Sequence, residues 1–137
     1  MREVILNRFD PIIYPYKIWV AITQDFNDVS SHFVSYKDRS DIKFSDTDKC
    51  HAMTMAVMHK EDYKYGAIIL FKSKKEMNIG SITHEASHAA KLLFEHIGAD
   101  PAEHEPFEYL LGWIAECIWT VLKEKKQKNE YGTKETV

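Results

Sequence analysis

His84, Glu85 and His88 stand in the order H-E-x-x-H. On an α-helix, residues i and i+4 lie one above the other on the same face. Two imidazoles spaced in this way can hold one zinc ion, and the glutamate between them can polarise a water beside it. Five residues therefore offer two metal ligands and one general base, the equipment of metal-assisted hydrolysis. The plain alternative is a surface helix with two unrelated histidines and a solvated glutamate. The neighbouring pattern decides between them.

That pattern predicts a helix with the motif in its first two turns. Asn78 or Ser81 can cap it. Ile79, Ile82, Ala86, Ala89, Ala90, Leu93, Phe94 and Ile97 make an apolar stripe at helical spacing, with His84, His88, Lys91 and Glu95 off the stripe. Gly98 and then Asp100-Pro101 are stop signals. A second amphipathic helix follows Pro106, with Phe107, Leu110, Leu111, Ile114, Ile118, Val121 and Leu122 on one side and Gly112 within it, where it could allow close packing. Upstream, the chain reads as strands. Val4 to Leu6 is a short one, Tyr16 to Thr23 is rich in β-branched and aromatic residues, and His51 to His59 alternates. Tyr65 to Phe71 is apolar throughout, and with His51 to His59 it predicts an antiparallel hairpin. Phe26, Val29 and Phe33 suggest a short helix, and the polar run Ser35 to Lys49 a long loop. The fold class expected is α+β, one domain over residues 1–122. It is a small antiparallel or mixed sheet packed on the motif helix and a second, C-terminal helix. Residues 123–137 are charged and polar, the composition of a frayed or disordered tail.

A catalytic zinc takes three protein ligands and keeps one position open. His84 and His88 supply two. The expected third is Glu105, at the head of the second helix, with Glu108, His104 and Glu103 as rivals. Set against this, Glu105 is also what a helix N-terminus favours for its dipole. His96 is eight residues beyond His88 on the same rigid helix and too far along its axis. Glu85 is the expected general base. Tyr109, one turn from Glu105, is a candidate donor to a developing oxyanion, although an aromatic packing role suits it better. His32, His51 and His59 have no evident partner, and Met53, Met55 and Met58 fit strand packing.

These residues resemble the zincin metallopeptidases, and among them the gluzincins, in which H-E-x-x-H is followed by a glutamate ligand on a later helix. The later gluzincin motif, E-x-x-A-D in one common form, is matched here only at Glu105: Glu108 stands where alanine is usual and Tyr109 where the acid is. The stretch from Glu105 to Ala115 also looks like small metallopeptidase-like proteins of bacteriophages and integrated mobile elements. The resemblance covers about residues 51–122, by motif and element order. It implies a compact zincin core in which the strand before the motif helix, Tyr65 to Phe71, is an edge along which an extended peptide adds as a further strand.

Bulk properties narrow the classes further. At 137 residues the chain suits one core. A net charge of −3 gives no basic footprint for nucleic acid, and no apolar run is long enough for a membrane span. No signal-peptide core precedes the first strand. Two cysteines, Cys50 and Cys117, form no disulfide framework, which makes a reduced, cytoplasmic setting the expectation, with a single disulfide as the alternative. The function expected is a zinc-dependent hydrolase acting on a peptide or protein. The alternative is a non-catalytic zincin-like module that recognises a protein partner through the same groove. Oligomeric state stays open, since Trp113 and Trp119 suit either a core or a partner.

Overall fold

A computed structural model describes residues 4–44 and 50–124, together with the backbone of residues 134–136. Six strands form one mixed sheet: β1 (Asn7–Phe9), β2 (Lys17–Ile22), β3 (Phe33–Ser35), β4 (Ala52–His59), β5 (Tyr65–Phe71) and β6 (Lys134–Thr136), in the spatial order β3-β4-β5-β2-β1-β6. Two helices, α1 (Ile79–Ile97) and α2 (His104–Lys123), pack on one face. The α+β class, with its mixed sheet, motif helix and second C-terminal helix, is as the sequence predicts.

Alternation explains the layers. In β2, Ile18 and Val20 face the helices while Trp19 and Ala21 face away; in β5, Ala67, Ile69 and Phe71 face the helices while Ile68 and Leu70 face away. The helix side closes over Ala86, Ala89, Ala90 and Leu93 of α1 and Leu110, Ile114 and Ile118 of α2. The other side is covered by a 3-10 turn, Phe26–His32, and by Phe33 and Phe44. Strands buried on both faces read as continuous apolar runs, which is what β5 is. β5 is therefore interior, pairing antiparallel with β4 and parallel with β2. This corrects the expectation of a peptide-binding edge at Tyr65 to Phe71. Gly66 belongs to the same close packing, since a Cβ there would overlap the Lys17 carbonyl and come within 2.5 Å of the Trp19 ring.

The open edge is on β4. β3 pairs only with Val57, Met58 and His59, and among the described residues no strand pairs with the outer side of Ala52–Ala56. The predicted loop after Ser35 begins with β3 and a bridge between Val34 and Asp41; residues 45–49 of it lie outside the described residues.

Both helix ends of α1 follow from local chemistry. The Asn78 side chain accepts the Ser81 N–H at 2.9 Å, and Gly98 adopts φ 75° and bonds back to Glu95 and Phe94. Ile79, placed in the stripe by spacing, is 81% exposed, because the first helical residue projects beyond the sheet. The Phe94 and Phe107 rings meet at 5.3 Å, so the start of α2 lies beside the end of α1 in a helical hairpin. No atom lies within contact of a Cβ at Gly112, so close packing is not its role. The first strand is Asn7–Phe9 and not Val4 to Leu6: pairing with Ile18–Val20 sets it, and Leu6 instead packs into the far core. Of the polar tail, Lys134–Thr136 pair in parallel with β1; residues 125–133 and 137 lie outside the described residues. Cys50 and Cys117 are both free thiols, on opposite faces of the sheet. No described helix is long and apolar enough to cross a membrane.

Candidate metal centre

α1 runs alongside β4 with Ile82, Ala86 and Ala89 turned into the core, and this sets the rest of the motif. His84 and His88 fall on the exposed side. Their Nε2 atoms converge to 3.1 Å, with the rings nearly perpendicular. Two nitrogens bound to one tetrahedral zinc at ~2.0–2.1 Å would be about 3.3 Å apart. The pair is thus close to the bite that the metal needs, a separation that a hydrogen bond between the two rings also satisfies.

Glu85 lies between the core and this pair. It is only 6% exposed, the one carboxylate among the buried described residues. Thr54 of β4 donates to its Oε1 at 2.6 Å. Burying a carboxylate is costly unless charge or hydrogen bonds offset the loss of water. One hydroxyl offsets part of it, and a cation held by the neighbouring imidazoles would offset more. Thr54 was not legible as a site residue. The available signal was its place in the alternation of β4, where Ala52, Thr54 and Ala56 share a face and only the middle one carries a hydroxyl.

The remaining predicted residues lie elsewhere. Glu105 sits in the first turn of α2, beside the far end of α1. Nine residues of helix separate His88 from Ile97, about 13 Å along the axis. Among the described residues no three His, Cys, Asp or Glu side chains come together as a metal-sized group. The structure therefore does not bring Glu105, Glu108, His104 or Glu103 to the histidine pair. The reason is the helical hairpin: a short turn joins the end of α1 to the start of α2, whereas the motif is in the first half of α1. Tyr109 is 75% exposed and lines a different groove of about 460 Å³, formed with Ile12, Ile13, Tyr14, Leu110 and Trp113. It is not beside Glu85.

The other histidines have structural partners. His59 stacks on Trp19 at 5.7 Å and lies 3.6 Å from Asp62, and burial holds its pKa below the usual value. His96 is also held low by burial and sits among Tyr16, Tyr36 and Tyr65. His51 is exposed, 3.7 Å from Glu76. The strands use Met58 as buried packing.

No protein-family model matches the chain, and no curated protein and no solved structure matches it either.

Proposed function

We propose that the protein is a zinc-dependent hydrolase acting on peptide bonds, with His84 and His88 as metal ligands and Glu85 as general base. The observation that carries the reading is the convergence of the two Nε2 atoms beside a buried carboxylate that a single hydroxyl holds in place. Zinc at such a pair supplies Lewis-acid polarisation of a carbonyl and lowers the pKa of water. The chain's own part is positional. Thr54 fixes Oε1 of Glu85 and leaves Oε2 to accept a proton from an attacking water and return it to the departing nitrogen. The outer side of Ala52–Ala56, unpaired among the described residues, runs past Thr54, so an extended peptide adding to it as a strand would carry its backbone past Glu85. This transfers the expected peptide edge from β5 to β4. Free thiols at Cys50 and Cys117 are in keeping with a reducing, cytoplasmic setting.

A second reading, a non-catalytic zincin-like module that binds a protein partner along the same edge, draws support from the count of donors: two converge where a catalytic zinc takes three. Elemental analysis of untagged protein purified without added metal tests the first requirement. About one zinc per chain, absent from His84→Ala, is expected. No zinc in the wild type, even after reconstitution at neutral pH, would remove the hydrolase reading. With zinc present, retention of metal and loss of peptide hydrolysis in Glu85→Gln separates the enzyme from the binding module.

A further inference from the structure

A cleft of about 510 Å³ lies between α1 and the β4 edge, further along both elements than the histidine pair. Leu92 and Glu95 form its helical wall. Leu92 is one turn beyond His88, about 6 Å along the axis. Met55 and Ala56, one and two residues beyond Thr54, form its strand wall, ~3–7 Å along β4. An extended peptide advances by about 3.3 Å per residue. The cleft thus lies one or two peptide positions from the carboxylate of Glu85. The turn after β3, with Tyr36, closes its far end.

Tyr16 is part of this cleft and 1% exposed, and its hydroxyl has no hydrogen-bond partner among the described residues. Buried hydroxyls are nearly always satisfied, because an unmade bond forfeits hydration with no return. The contrast with its neighbour is direct: the Tyr36 hydroxyl meets His96 Nδ1 at 3.1 Å. Burial and the nearby Tyr36 and Glu95 raise the pKa of Tyr16, which keeps its hydroxyl protonated and able to donate. Both of those neighbours line the cleft together with Tyr16. Around the rim Lys37 and Lys43 are balanced by Asp41 and Glu95, which leaves no net charge to select an ion.

We infer that this cleft is a side-chain pocket for the ligand of the histidine site, and that it takes a neutral side chain with an aromatic or apolar stem and a hydrogen-bonding tip that meets the Tyr16 hydroxyl. The inference rests on the reading of the β4 edge as the place where an extended peptide lies. It adds what that peptide carries next to the reacting bond. Tyrosine is the natural side chain with this make-up, and phenylalanine is its matched control.

The test is an NMR titration of the full chain with N-acetyltyrosinamide and N-acetylphenylalaninamide, which needs no turnover. Tyrosinamide is expected to bind about tenfold more tightly, the worth of one hydrogen bond, and to shift the amides of Tyr16, Ala56 and Leu92. Tyr16→Phe should bring the two affinities together while leaving the spectrum dispersed. Leu92→Trp, which fills the cleft from the helix side, should abolish binding of both and provides a second check. Equal affinities in the wild type, no binding at millimolar concentration, or shifts confined to another surface would overturn the proposal. A zinc-loaded protein that hydrolyses no peptide but keeps the tyrosine preference would refute the peptidase and uphold the pocket. Hydrolysis without that preference would do the reverse.

Discussion

α1 and α2 are nearly the same length, and each buries one apolar stripe against the same sheet. Their polar residues have different surroundings. Those of α1 flank a strand whose outer side at Ala52–Ala56 is unpaired among the described residues, and one of them, Glu85, is drawn inward to a strand hydroxyl. Those at the head of α2, Glu105 and Glu108, are exposed, and Tyr109 joins an apolar groove against the β1–β2 loop. Equal amphipathicity therefore does not make equal sites. What distinguishes α1 is its neighbour: a backbone edge without a described partner strand, with a carboxylate pinned beside it.

Substitutions can break that contrast, and the largest effect is expected at the histidines. His84→Ala or His88→Ala should abolish stoichiometric zinc binding and with it all metal-dependent hydrolysis, as read by elemental analysis and a peptide-library assay. Glu85→Gln should keep the metal and lower kcat by ~10²–10⁴, the usual range for a general base. Thr54→Val keeps the shape and removes the hydroxyl from Glu85 Oε1. It should cost about 1–3 kcal/mol, read as a lower midpoint in urea, because the buried carboxylate then has no described hydrogen-bond donor.

Acid should act more gently. Burial holds His59 and His96 below the usual value of 6.5. The unfolded chain therefore takes up protons first as pH falls through 6.5, and stability declines from there downward. Tm measured from pH 7.5 to pH 5 should fall, and His96→Gln should flatten part of the slope. Smallest of all is the expectation on α2: Glu105→Ala should leave zinc content unchanged and stability within ~0.5 kcal/mol. Loss of metal in that variant would show that the two helix faces cooperate after all.

The sequence carried most of the frame. Asn78 and Gly98 bounded α1, the apolar run of Tyr65 to Phe71 identified a strand, and the H-E-x-x-H spacing put His84 and His88 on one side. Local rules suffice there because capping, left-handed backbone and helical periodicity are set within a few residues. What was not legible depended on neighbours distant in the chain. Whether β5 was an edge turned on β2 pairing with it from the far side of two intervening strands. Whether Glu105 could reach the motif turned on where in α1 the histidines sit relative to the hairpin turn. The role of Thr54 needed the register of β4 against α1, which no pattern in either segment encodes.

The parallel pairing of β2 with β5, Lys17 with Gly66 through Ile22 with Phe71, also sets an order of assembly. During synthesis, β2 leaves the ribosome about fifty residues before its central partner is complete, a delay of several seconds at ~5–20 residues per second. The β1–β2, β4–β5 and α1–α2 hairpins are local and can form at once, whereas the Trp19, Val20 and Ala21 side chains of β2 wait for β5 and the layers packed on it. Newly made chains are thus most vulnerable to aggregation at their N-terminal end, and the first strands become protected only when Gly66 lets the Lys17 carbonyl close against β5.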